Sequence, residues 1–158
     1  MSSFNAVGVS LTAASPALIV KNAAWWPDID AHDLRDVHRI TDTVTDRRLQ
    51  TAVTSAIAIT NRQLREWQQQ QATGGYKSLG AVPVPDYLPA DGYTTLYLHA
   101  VYCEAHALLI ERYRDYAASA VGMRDSDVKE RTAHDYRRDA GYAISELCNR
   151  SRCVVELI

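Results

Sequence analysis

The stretch Thr43–Trp67, "TVTDRRLQTAVTSAIAITNRQLREW", decides the fold class. Leu49, Val53, Ala56, Ile57, Thr60, Leu64 and Trp67 recur at spacings of three and four, the period of one face of an α-helix. Thr45 stands at the N-cap, and Val44 and Leu49 flank it at the spacing of a hydrophobic staple. The glutamine run Gln68–Gln71 leads to Gly74 and Gly75, which end the helix. Read as one element to Thr73, it is roughly 40 Å long at about 1.5 Å per residue. That length predicts a bundle, or a strut at an interface.

Upstream lies "AAWWPDIDAHDLRD", residues 23–36. Its Asp28, Asp30, His32, Asp33 and Asp36 are all possible metal donors, yet capping accounts for the two central ones. Asp30 precedes a short apolar stripe, Ile29 and Leu34 form a second staple pair, and Asp33 favours the positive end of the helix. The cluster lacks the glycine and distal glutamate of a calcium loop. A first helix is therefore expected from Asp30 to about Ile40, with Leu34, Val37 and His38 facing inward and His32 and Asp36 solvated. Before it, "AVGVSL" and "PALIV" flank a "TAASP" turn, a small and β-prone opening that suits an arm or a short hairpin.

Downstream, residues 76–93 carry Pro83, Pro85 and Pro89 and read as an extended loop. A third helix is expected from about Thr94 to Ala118, with Leu96, Ala100, Val101, Ala105, Leu108, Leu109 and Tyr113 inside. A fourth starts near Ser126 and turns Val128, Tyr136, Ala140, Ala143, Ile144 and Leu147 inward. The tail "RSRCVVELI" is apolar and β-prone, and a lone strand needs a partner for its backbone groups. The fold class is thus mainly α: a small bundle of about four helices with one long helix. An extended N-terminal arm (1–24) precedes the helical domain (25–148), and a short C-terminal tail (149–158) follows it.

Composition narrows the function. The chain has 158 residues, 47% hydrophobic and 23% charged, with a formal charge of −2, which suits one globular domain and argues against a dedicated duplex-DNA reader. No apolar run is long enough to span a bilayer, and the leading residues lack the basic start of a secretory signal. Cys103, Cys148 and Cys153 form no CxxC pair and read as free thiols of a reducing compartment.

Catalytic patterns are missing. There is no GxSxG elbow and no phosphate-cradling glycine loop. His99, Cys103 and His106 share a helix face, but the two histidines lie about 10.5 Å apart along the axis, too far to meet at one ion. The carboxylates Glu104 with Glu111, and Asp135 with Asp139, have basic neighbours and read as solvated helix faces. No cofactor is expected. Nine tyrosines against one phenylalanine suit half-wet surfaces, as in a bundle with amphipathic edges or a protein with large interfaces.

Four blocks, "WWPDIDAHDLRD", "TVTDRRLQTAVTSAIAITNRQL", "LHAVYCEAHALLIERYRDYAA" and "RRDAGYAISELCNRSRCVVELI", together resemble the head completion (L-protein) family of contractile-tailed phages. The resemblance spans about residues 22–158. It implies a virion protein, not an enzyme, added after DNA packaging at the neck, the head–tail junction, with assembly in the host cytoplasm. Implied partners are the phage portal protein, neighbouring copies in a ring of twelve, and a tail-side connector or tail terminator protein. Packaged DNA passes through without sequence-specific binding, and no membrane is involved.

The apolar tail Arg152, Cys153, Val154, Val155, Glu156, Leu157 and Ile158 is the expected segment for docking on the portal or a neighbour, by strand addition. Trp25 and Trp26 are candidate interface anchors, because tryptophan dominates binding hot spots, or else a cover for the open end of the bundle. A helical regulatory or effector-binding domain is the competing expectation.

Overall fold

The computed structural model describes residues 16–118 and 131–150. In chain order these form strand β1 (Ile19–Val20), strand β2 (Ile29–Asp30), and helices α1 (Ala31–Val37), α2 (Asp46–Gln63), α3 (Arg65–Thr73), α4 (Gly92–Ala118) and α5 (Ala133–Leu147), with one 3-10 turn at Leu79–Ala81. The fold is mainly helical, as expected.

The longest element is α4, not the Thr43–Trp67 region. Every residue from Ala100 to Ala105 is buried, Glu104 among them, so this stretch is covered on all sides and not along one stripe. It is the axle of the molecule, with α2 and α5 packed along it. Gly92 opens the helix where Leu88 folds back over it: a methyl group there would lie 2.9 Å from the Leu88 Cβ.

The long amphipathic helix is broken. Leu64 takes φ −91° and ψ 1°, between helical and turn conformations, and separates α2 from α3. Its side chain is fully buried at the bend, and Trp67 on α3 is buried too. The three- and four-residue spacing therefore runs through the break unaltered, and the periodicity carries no trace of it. Two helices of about 27 and 14 Å replace one of roughly 40 Å.

The first helix starts where expected. Asp30 is its N-cap and accepts from the His32 amide at 2.9 Å, while Ile29 and Leu34 are both fully buried as the staple. The inner face differs from expectation. Ala31 and Leu34 are buried and His38 half-buried, but Val37 is 59% exposed, because it sits about 100° round the helix from the line of those three. At α2, Val44 and Leu49 pack as the second staple, but the Thr45 side chain makes no capping bond. Arg35 holds this corner instead, donating to the carbonyls of Thr41 (3.2 Å) and Val44 (2.9 Å) and to Asp46 (2.8 Å).

Three helices end alike. After α1, α3 and α5, residues Arg39 (φ 53°), Gly75 (φ 97°) and Asn149 (φ 50°) turn left-handed. Each is followed by an amide that reaches back five residues, Ile40 to Arg35, Tyr76 to Gln71 and Arg150 to Ser145. This is the Schellman arrangement, and it satisfies carbonyls the helix leaves open.

The start of α5 also differs. Its cap is Thr132, whose hydroxyl accepts from the Asp135 amide at 3.2 Å while the Asp135 carboxylate accepts from the Thr132 amide at 2.9 Å, a full capping box. The helix thus begins at Ala133, not near Ser126. Ser126 and Val128 lie outside the described residues.

The two strands pair antiparallel, Ile19 opposite Asp30 and Val20 opposite Ile29. The described part of the N-terminal arm thereby lies on the helical domain, with Val20 in the core. Arm residues 1–15, including "AVGVSL", lie outside the described residues.

Candidate partner surfaces and polar networks

The tryptophan pair is built into the fold on both rings. Trp26 is 5% exposed and stacks on Tyr97, centroids 4.6 Å apart and planes 15° from parallel. Trp25 meets Trp26 and Trp67 edge-on, and Trp67 in turn meets Tyr93. Trp25 also ties the β1–β2 connection to the loop after α3. Its indole donates to the Tyr76 carbonyl at 3.0 Å, and its own carbonyl accepts from the Leu79 amide at 2.9 Å. Only Trp25 keeps appreciable surface, at the rim of a shallow concavity of about 230 Å³ shared with Pro27, Ser78, Gly80 and Thr94.

Behind Trp26 lies a polar ring that sequence reasoning missed. The Tyr97 hydroxyl donates to Asn61 (2.7 Å) and accepts from Asn22 (2.7 Å), and Asn61 closes the ring by donating to the Asn22 side-chain oxygen at 3.0 Å. Tyr97 is fully buried, and burial pushes its hydroxyl pKa up to about 12. The ring joins the arm, α2 and α4 through residues far apart in sequence. No local periodicity announces it.

The acidic cluster disperses. Asp28 pairs with Lys21 at 2.7 Å, and Asp30 caps α1 while also accepting from the Leu18 amide. Asp33, expected at the first-turn amides, instead accepts from the Tyr102 hydroxyl at 2.6 Å. His32, expected in solvent, is largely buried and reaches Asp46 at 3.2 Å. Asp36 is exposed. Among the described residues, no three His, Cys, Asp or Glu side chains converge as a metal site would require.

The histidines of α4 part company as well. His99 and Cys103 sit together at 3.7 Å, and burial pushes the Cys103 thiol up to about 11, far from a reactive thiolate. His106 turns toward α1, where its Nδ1 lies 2.9 Å from that of His38. Tyr136 of α5 stacks on both imidazoles, and the Arg131 guanidinium lies 4.8 Å from the Tyr136 ring centre. Burial, with help from neighbouring positive charge, lowers both histidines to about 4. At neutral pH the pair is uncharged.

Glu104 is not solvated, contrary to expectation. It is 6% exposed and accepts from Arg137 at 3.4 Å, while the same guanidinium grips Glu111 through both nitrogens. Arg137 thus clamps α5 to α4 at two carboxylates. Asp135 belongs to the capping box, and Asp139 pairs with Arg131. A second shallow concavity, about 190 Å³, is lined by Leu96, His99, Asp139, Tyr142, Ala143 and Glu146. The expected docking tail, residues 152–158, lies outside the described residues.

A family model for the phage head completion protein (GPL) matches residues 20–158. The chain belongs to this family. It is also 34% identical, over 140 residues, to a head completion/stabilization protein of Escherichia phage P2, across 89% of this chain and 83% of that protein. No solved structure matches the chain. The family match begins inside β1, at Val20, and takes in β2 and all the helices from α1 to α5. Among the described residues, no helix is long and apolar enough to cross a membrane.

Proposed function

We propose that this chain is a structural virion protein that completes the DNA-filled phage head. It binds the portal vertex as a ring of neighbouring copies, retains the packaged DNA, and presents a surface to the tail-side connector. The observation that carries this reading is the family match over residues 20–158, joined by the head completion/stabilization protein of phage P2. The protein acts by binding and performs no catalysis.

The docking element is the tail Arg152–Ile158, apolar and β-prone and suited to adding a strand to a partner. Trp26 is committed to the core, so a tryptophan contact with a neighbour falls to the exposed edge of Trp25. A helical domain with α2 and α5 packed along α4 suits a subunit whose contacts with neighbours do not distort it. The effector-binding alternative has less support: among the described residues, the concavities of about 190 and 230 Å³ beside α5 and Trp25 are shallow, and small-molecule sites usually span about 300–1,000 Å³.

The test is attachment to DNA-filled, portal-bearing heads. Negatively stained particles should show a ring of added density at the vertex and should stop leaking DNA when the protein is supplied. A chain ending at residue 151 should lose attachment. If the full chain leaves the vertex bare, the reading is wrong; if the shortened chain attaches equally well, the tail is not the docking element.

A further inference from the structure

One helix face has a charge unlike the rest of this mildly acidic protein. From Arg47 to Arg65 the chain has four arginines and no acidic residue, whereas residues 28–46 hold six aspartates against two arginines. On α2 and the first residue of α3, the exposed Arg47, Thr51, Thr54, Ala58, Arg62 and Arg65 follow one another at spacings of three and four. They make a single outward stripe about 27 Å long. Arg48 lies beside it. The flanking acids stand at its two ends: Asp46 is engaged with Arg35 and His32, and Glu66 follows Arg65.

Between the arginines the surface is low and smooth. The Thr51 and Thr54 hydroxyls donate to the carbonyls of Arg47 (2.8 Å) and Gln50 (2.9 Å) of their own helix, so the guanidinium groups are the outward donors. The stripe offers no large apolar anchor, its one apolar member being Ala58. A protein partner ordinarily needs an aromatic or aliphatic anchor at the centre of its interface. A phosphate backbone needs none: arginines at intervals along a low ridge are sufficient to neutralise charge and set position.

We propose that the outer face of α2 binds the phosphate backbone of duplex DNA, without regard to base sequence. The ligand is a phosphodiester polyanion, and the contacts are made by Arg47, Arg62 and Arg65, with Arg48 at the edge. All 19 acidic residues of the chain lie outside the stretch from Arg47 to Arg65, against 13 of its 17 lysines and arginines, so the grip is local and salt-sensitive. This goes beyond attachment to the head and stands without it.

The experiment uses the full chain and a random-sequence duplex of about 30 base pairs, followed by fluorescence anisotropy between about 50 and about 200 mM salt. Each phosphate contact contributes about −0.9 to the slope of log K against log salt, so three to four arginines give a slope of about −3. Arg62→Gln with Arg65→Gln should reduce that slope by about 2 and weaken binding equally on any sequence. Both side chains are exposed, and the circular dichroism spectrum of the variant should match the wild type. The same variant should still attach to portal-bearing heads. No binding at the lowest salt, or an unchanged slope in the variant, overturns the proposal. So does a variant that binds DNA normally but no longer attaches to heads, which would make the stripe a protein contact.

Discussion

The Tyr97 hydroxyl is the point where three parts of the chain are held by one side chain. It sits in a closed ring with Asn22 and Asn61 beneath the Trp26 face, and every member both gives and receives. Tyr97→Phe keeps the stack on Trp26 and removes only the hydroxyl. It leaves the Asn61 carbonyl oxygen without its donor in a place water reaches poorly, so we expect a loss of about 1–3 kcal/mol, read by urea denaturation with an unchanged m-value. A loss below the error of the extrapolation would mean that water enters the ring. The tryptophan pair shows why such a site is hard to foresee. Two adjacent tryptophans advertise an anchor, but whether the anchored surface is a partner or the chain's own Tyr97 and Trp67 depends on contacts across dozens of residues.

Among the elements, the ends of helices that carry their own local signal were legible, such as the staples that open α1 and α2 and the Gly74–Gly75 pair that closes α3, and the others were not. Staples at Ile29–Leu34 and Val44–Leu49 are local pairs with a fixed spacing, and both are present in the fold. The end of α1 is set by Arg39 in a left-handed turn, a position where glycine is the usual signal, and so the helix reads three residues too long. The Leu64 bend leaves the apolar spacing intact and is likewise silent. Burial of Glu104 was missed for a different reason: a glutamate between helical neighbours reads as solvated until α5 brings Arg137 to it. That clamp makes a prediction at its own scale. Arg137→Met strands Glu104 in the α4–α5 seam and should destabilise by about 1–3 kcal/mol, discounted from a fully buried pair because Arg137 keeps 39% of its surface. Adding Glu104→Leu to that variant should recover most of the loss. If the double variant is as unstable as the single, the clamp to Glu111 matters more than the buried carboxylate.

For the molecule as a whole, the His38–His106 pair is where α1, α4 and α5 meet, with Tyr136 lying over both rings. Two imidazoles with facing nitrogens at 2.9 Å share one hydrogen between them when neutral; protonating both places two like charges in contact. The groups facing the pair are Tyr102 and His99 from α4, Tyr136 from α5, and Arg131 just before it, and none of them supplies a negative charge at neutral pH. Both histidines titrate at about 4 in the folded chain and at about 6.5 when unfolded, so between these values the unfolded chain binds more protons. Stability from the pair is therefore complete above about pH 6.5 and is lost as the pH falls toward 4. The aspartates with lowered values, Asp28 and Asp135, lose their contribution only below the ordinary carboxylate value of 3.8, outside this window. We expect the melting temperature to drop on acidification from pH 7 to pH 4.5, and the drop to shrink in His106→Phe, which keeps an aromatic ring against Tyr136 but cannot take a proton. Proton NMR titration of the two rings supplies the independent reading: midpoints near 6.5 in the folded protein would place the pair in solvent and remove the physical basis of the effect. Because the seam joins α5 to α1 and α4 and leaves α2 out, opening it should expose α5 amides to hydrogen exchange before those of α2.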